Sequence, residues 1–169
     1  SEMIESYAEI FGIDKIDKKI EYYYYNNEED FKDVNLTESY FQGVSWENRE
    51  IHTMKETEDL AVTHMLLYHL GFPPISLAKG AVFYLRASKY DWNPHMEVKK
   101  DLMEYKVPAL HKTIEKKVFE KFNPSVIVPA WASFCTYLIE QYGVEKFLEF
   151  YERNDGVKTA EEFTSIFED

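Results

Sequence analysis

The sequence predicts an α+β fold, in which a small N-terminal β-sheet is followed by a mostly helical region. Strand-like alternation is confined to the first third of the chain, whereas helical spacing of apolar residues runs through the remainder. The length of 169 residues suits one domain. We therefore expect a single domain over residues 1–169, with the sheet and short helices in 1–56 and the helical part in 57–169.

Four or five elements are predicted before residue 57. They are a short helix at Ile4–Phe11, a strand at Lys18–Tyr25, a helix at Glu28–Val34, and one or two strands within Glu38–Met54. The first strand is rich in tyrosine, and its rings are expected to cover a core. A platform for a sugar or a peptide is the alternative for the same residues.

An apolar segment from Leu60 to Leu70 predicts a buried central helix, because it is hydrophobic nearly all round. Gly71 can end this helix in a left-handed turn, and Pro73-Pro74 prevents its continuation. A second helix is expected to start near Ser76. These two helices and their tight connection are the predicted spine of the fold.

The later elements are predicted from periodicity and capping residues. They are helices at Leu77–Ala87, Pro94–Glu104, Val144–Arg153 and after Thr159, one broken or bent helix within Val107–Phe122, and a helix starting near Pro129. His95 is expected to be exposed. Cys135, the only cysteine, lies in a helical apolar pattern, where it is expected to be a buried small hydrophobe rather than a nucleophile.

Two segments resemble the active-site region of gluzincins, the thermolysin-like zinc metallopeptidases. His64–Gly71 resembles the second half of a motif that reads H-E-x-x-H-x-L-L-x-x-x-G, and Leu77–Ala81 resembles the segment that carries the third zinc ligand. Leu60 stands in place of the first histidine, Ala61 in place of the glutamate base, and Lys79 in place of the glutamate ligand. The resemblance thus implies a zincin-like helical region from which the zinc chemistry is missing.

Elementary coordination chemistry agrees with this reading. Two histidines one helical turn apart can bind one zinc ion, and a glutamate between them can activate water. One imidazole and a leucine cannot do so, and a protonated lysine offers no lone pair. We therefore expect no catalytic residue of this type, no metal and no cofactor.

The resemblance also implies a remnant cleft. A second segment, Ser133–Gly143, is similar to a packing motif of these peptidases whose tyrosine lies near the cleft, and a small sheet lines the cleft in the family. The candidate cleft residues are accordingly Leu60, Ala61, His64, Lys79, Tyr137, His52 and Trp46. A surface turn for Trp46 and a strand-end position for His52 are the simpler alternatives.

The composition of the chain limits the classes of partner that it is expected to bind. The formal net charge of −12 disfavours nucleic acid and anionic membranes, and prolines interrupt the two long uncharged windows, so no transmembrane segment is expected. A peptide or protein partner is compatible with the sequence. Because the chain begins with Ser1, removal of an export signal from a bacterial-type soluble domain stays open, and neither the compartment nor the oligomeric state is assigned.

Three functions follow from these observations. The first is a catalytically inactive peptidase-like domain that binds a partner in the remnant cleft. The second is a hydrolase with a relocated, non-zinc site that uses groups such as His64, Lys79, Glu58, Asp59 or Cys135. The third is a purely structural protein in which His64 is a hydrogen-bonded core residue.

Overall fold

The computed structural model describes residues 2–13, 19–32, 38–39, 42–45, 49–54, 59–90, 92–104 and 106–168. These residues form two compact units. The first comprises Ser1–Glu9 and Ile13–His69, and the second comprises Ile10–Gly12 and Leu70–Asp169. Helices dominate and the strands form one small sheet, which confirms the predicted α+β class.

The first unit combines a mixed sheet with short helices. Its elements are α1 (Glu2–Ile10, ending at the unit boundary), β1 (Glu21–Tyr24), α2 (Glu28–Lys32), β2 (Glu38–Ser39), β3 (Gln42–Ser45), β4 (Glu50–Thr53) and α3 (Asp59–Leu67). The strand order is β1-β4-β3-β2, with β1 parallel to β4 and the other pairs antiparallel. The central helix predicted from Leu60 is therefore α3, and it groups with the sheet.

The core of this unit lies between β4 and α3. Ile51 packs in one cluster with Ala61, Val62 and Met65, and Ile20 covers its side. By contrast, the tyrosines at positions 22, 23 and 24 each keep more than a third of their surface exposed. The expectation that these rings cover a core is therefore wrong, because the buried cluster lies at Ile51 of the neighbouring strand β4.

The second unit is helical in its described part. Its elements are α4 (Ile75–Tyr90), α5 (Pro94–Met103), a 3-10 helix (Leu110–Thr113), α6 (Lys116–Phe119), α7 (Pro124–Tyr142), α8 (Val144–Arg153) and α9 (Ala160–Glu168). Helix α7 packs against α4, α5 and α8, so it is the centre of this unit. Among the described residues, no helix is long and apolar enough to cross a membrane.

One sequence prediction in this unit is corrected, and another is confirmed. Helix α7 starts at Pro124 rather than near Pro129, because Asn123 caps it and a proline suits the first helical position. The internal Pro129 removes one backbone hydrogen bond near the start of a 19-residue helix. Within 107–122 the broken form of the expected helix is present, as the short 3-10 helix followed by α6.

Capping predictions agree with the structure. The side chain of Asn93 accepts hydrogen bonds from the backbone N–H groups of His95 and Met96 at the start of α5. At α9, the Glu162 N–H donates to Thr159 Oγ1, and the Thr159 N–H donates to the Glu162 carboxylate. The backbone N–H groups of Lys158 and then of Thr159, which donate to the Glu162 carboxylate, lower its pKa. Helix α8 has the bounds that its periodicity predicts.

The turn before α4 is held by the loop between α8 and α9. Gly71 adopts φ +128°, a value that side chains other than glycine rarely adopt. The following Phe72 N–H donates to Asp155 Oδ1 at 2.7 Å, and the Gly156 N–H donates to the Phe72 carbonyl at 3.0 Å. Segments that are distant in sequence thus fix the chain direction into α4.

Helices α4 and α7 cross closely at Gly80. A Cβ at this position would lie 2.7 Å from the Trp131 carbonyl oxygen and 2.9 Å from Cys135 Sγ. Both distances are shorter than van der Waals contact, and the first involves backbone, which cannot rotate away. Glycine is therefore required for the two helices to approach this closely.

We predict that Gly80→Ala lowers the free energy of unfolding by about 2 kcal/mol, because overpacking at a rigid contact outweighs the better helix propensity of alanine. Denaturant-induced unfolding followed by circular dichroism measures this. Ser88→Ala, at an exposed position of the same helix, is the control and should leave stability unchanged or slightly raised. A Gly80→Ala variant as stable as the native protein would contradict the close crossing.

Candidate functional site

Three of the candidate cleft residues lie on α3 in the first unit. Leu60 and His64 are one helical turn apart, and both are half-buried. Ala61 is only 2% exposed and belongs to the core cluster with Ile51. The position that corresponds to the glutamate base of the resembled motif is therefore occupied by a packed methyl group.

The imidazole of His64 lies beside an aromatic ring. Its centroid is 6.4 Å from that of Tyr68, and the two rings are nearly parallel. Burial raises the pKa of the Tyr68 hydroxyl, so this group stays protonated at neutral pH. The surroundings of His64 on α3 are thus partly aromatic.

His52 is buried at the centre of a polar cluster on the sheet. Its Nδ1 lies 2.7 Å from Tyr25 Oη, its Nε2 lies 3.4 Å from the Glu50 carboxylate, and the Tyr23 ring stacks on it at 4.6 Å. Burial, and then the charge of Glu50, raises the pKa of Tyr25. A hydrogen bond from Tyr23 to Glu21 raises the pKa of Tyr23 to about 12. His52 is therefore held rigidly rather than left at a free strand end.

Lys79 and Tyr137 belong to the second unit. Lys79 Nζ lies 5.5 Å from the centroid of the Phe119 ring, where its charge interacts with the ring face. His64 belongs to the first unit and Lys79 to the second. The expected approach of their side chains therefore stays a prediction. Trp46 lies outside the described residues. Within the described part of the chain, no three His, Cys, Asp or Glu side chains cluster as metal ligands do.

Tyr137 borders a pocket of about 350 Å³ between α5, α7 and the segment before the 3-10 helix. Its side chain is 46% exposed. Apolar side chains form most of the wall: Val98, Leu102, Val107, Pro108, Leu110, Ala130 and Phe134. Two polar residues, His95 and Ser133, also line it. An apolar pocket with a few convergent polar groups is the usual form of a ligand site.

The polar residues of this pocket form a connected chain. Ser133 Oγ lies 2.6 Å from His95 Nδ1, and His95 Nε2 lies 3.5 Å from the Glu140 carboxylate. His95 is therefore engaged with α7 on both ring nitrogens, and the expectation of an exposed histidine is corrected to a half-buried one. The carboxylate favours the proton on Nε2, which leaves Nδ1 free to accept from the serine hydroxyl.

Local structure explains how these groups meet. Ser133, Tyr137 and Glu140 follow i, i+4, i+7 spacing and thus share one face of α7. The Asn93 cap and Pro94 fix the first turn of α5, where His95 is the second helical residue. The spacing on α7 is visible in the sequence, but the partner histidine comes from another helix, which sequence periodicity cannot reveal.

A second cavity, of about 310 Å³, adjoins this pocket. It shares Leu110 and Phe134 with the first, and aromatic rings of α7 and α9 line the rest. Trp131 stacks edge-on against both Phe134 and Phe163, at 5.5 and 5.8 Å. This cavity is apolar apart from His111 and Thr164, so it lacks the hydrogen bond between a serine and a histidine that the first pocket contains.

Comparison of the chain with protein-family models, with curated proteins and with solved structures returns no significant match.

Cys135 is fully buried against α4, which confirms the structural role expected for it. Burial raises the pKa of its thiol far above the usual range, so the reactive thiolate is scarce at pH 8. We predict that the native protein does not react with Ellman's reagent at pH 8, whereas protein unfolded in guanidinium reacts fully. Stoichiometric reaction of the native protein would contradict this burial.

Proposed function

We propose that the chain is a metallopeptidase-like domain that has lost the zinc chemistry and binds a polypeptide segment without cleaving it. This proposal extends the resemblance carried by His64–Gly71 and Leu77–Ala81. Its strongest support is the contrast between two neighbouring positions of α4. Gly80, which stands where the resembled motif has its glycine, fills a contact that admits no side chain, whereas Lys79, in place of a ligand, holds its charge over Phe119.

The other altered positions support the same reading. Leu60 presents a hydrocarbon where a zinc ligand is needed, and Ala61 is packed in a core. Peptide hydrolysis of this type requires a metal to acidify water and a carboxylate to accept its proton. Neither function can be supplied by leucine, alanine or a protonated lysine.

The pocket bordered by Tyr137 suits one apolar side chain of a bound peptide. Its volume of about 350 Å³ exceeds that of any single side chain, and its wall is mostly hydrocarbon. The hydroxyl of Tyr137 can make a hydrogen bond to the peptide backbone. Tyrosine is also favoured in interfaces, because it offers a large contact area and a polar tip.

Charge favours a basic partner. The chain carries a net charge of −12, and the Glu140 carboxylate beside the pocket is 58% exposed. Such a surface attracts lysine- and arginine-containing segments, and the attraction weakens as salt is added. We therefore propose an extended segment in which an apolar residue is flanked by basic ones.

We predict that a fluorescein-labelled peptide with a central leucine between lysine pairs binds more tightly than the same peptide with glutamate pairs, and that neither is cleaved. Fluorescence anisotropy at low and high salt measures binding, and mass spectrometry with added zinc or with a chelator measures cleavage. Tyr137→Ala should weaken binding about tenfold, equivalent to about 1.4 kcal/mol.

Tyr142→Ala is the matched control, because Tyr142 is an exposed tyrosine of the same helix that does not line this pocket. Equal losses in the two variants would argue against the pocket as the binding site. Cleavage that the chelator abolishes would overturn the proposed loss of zinc chemistry.

We predict that Leu60→His, Ala61→Glu and Lys79→Glu together create a zinc site with His64, if the zincin-like arrangement holds. Two imidazoles one turn apart and a carboxylate from the next helix provide three ligands and leave a fourth position for water. The dissociation constant should be about 1 µM or lower, or about 8 kcal/mol of binding free energy. Calorimetric titration with zinc measures it.

A control variant that carries Lys79→Gln in place of Lys79→Glu has the same changes in α3 but lacks the third ligand. The charged glutamate introduced at the buried position 61 costs roughly 3–5 kcal/mol without a metal, which zinc can offset because it binds only the folded state. If both variants fold and bind zinc equally, the family resemblance should be abandoned.

A further inference from the structure

A hydroxyl, an imidazole and a carboxylate lie next to one another in the order that nucleophilic catalysis uses. They belong to Ser133, His95 and Glu140. The distance of 2.6 Å between Ser133 Oγ and His95 Nδ1 is that of a strong hydrogen bond. The Glu140 carboxylate, 3.5 Å from His95 Nε2, holds the opposite edge of the ring. All three residues belong to the second unit.

From this geometry we propose that the pocket is a serine esterase site for esters of short apolar acids. The site is separate from the lost zinc motif, and the inference does not rest on peptide binding. Ser133 is the nucleophile, His95 is the general base and acid, and Glu140 is the positioning residue that holds the imidazole tautomer and stabilises its protonated form.

Tyr137 supplies the remaining requirement, a donor for the oxyanion. It lies one helical turn beyond Ser133 and lines the same pocket. The backbone N–H groups around Ser133 are engaged inside α7, so the phenol is the donor available on this helix face. One donor stabilises a tetrahedral intermediate less than two do, which favours esters over the less reactive amides.

The apolar wall determines the substrate class. Val98, Leu102 and Pro108 surround a volume of about 350 Å³, which accepts an acyl chain of a few carbons. This wall offers no cation for an acid group of the substrate. The Glu140 carboxylate nearby repels anionic substrates.

Ester hydrolysis at this site takes place in two steps, acylation of the serine and hydrolysis of the acyl-enzyme. In the first, Ser133 Oγ bonds to the acyl carbon while its proton moves to His95 Nδ1, and the bond to the alcohol oxygen breaks as His95 returns that proton to the leaving alcohol. In the second, a water oxygen bonds to the acyl carbon and gives its proton to His95. The acyl–Oγ bond then breaks, the proton returns to Ser133, and the free acid departs.

Two measurements on the full chain test this proposal: hydrolysis of p-nitrophenyl butyrate, and labelling by a fluorophosphonate probe followed by peptide mapping. We expect label on Ser133, and a fall in kcat/KM of at least about 100-fold in Ser133→Ala. Tyr137→Phe should lower kcat about 100-fold. Glu140→Gln should lower kcat while KM stays within about twofold, because a positioning residue does not contact the substrate.

Ser165→Ala, at an exposed serine of α9, is the control and should leave both rate and labelling unchanged. Circular dichroism of each variant separates loss of catalysis from loss of folding. The proposal is overturned if the native protein shows neither turnover nor label, if the label lies on another residue, or if a folded Ser133→Ala variant retains the native rate. Peptide binding requires no nucleophile, so a failure to bind the peptide is distinguishable from a failure of ester hydrolysis.

Discussion

The close crossing of α4 and α7 is the contact on which the second unit depends. It requires Gly80, because a side chain there would meet the Trp131 carbonyl. The indole ring of the same residue, Trp131, donates its Nε1–H to Thr113 Oγ1 at 2.9 Å and so anchors the 3-10 helix. That helix contributes Leu110 to the walls of both cavities. The helix crossing therefore also determines where the pocket walls stand.

Helix α7 separates structural and chemical roles on its two faces. Trp131 and Cys135 are buried where α4 crosses, whereas Ser133 and Tyr137 face the pocket. Residues two apart in a helix point about 200° away from each other, so both faces can be specified independently within one turn. This division allows the polar chain to His95 to form without placing an unpaired polar group in the core.

The sequence predicts those features that are determined locally. The Asn93 cap, the capping box of α9 and the bounds of α8 depend on neighbouring residues alone, and the structure agrees with them. The start of α7 is predicted wrongly, because Pro129 usually breaks a helix. The helix nevertheless begins at Pro124, after the Asn123 cap, and contains this proline. The partnership of His95 with Ser133 and the exposure of the β1 tyrosines depend on tertiary neighbours, which one sequence does not specify.

Under the proposed function, packing and zinc chemistry constrain different residues of the motif. This difference explains how a peptidase-like motif can persist without its ligands. Gly80 is constrained by a backbone contact that no other residue can satisfy, whether or not a metal binds. The adjacent Lys79 instead holds its charge over the Phe119 ring. At position 61 the absence of a metal favours alanine, because a buried glutamate without a metal would be an unpaired charge. Under the proposed function, alanine at position 61 therefore stabilises the core cluster of the first unit, while the packing residues of the motif are retained.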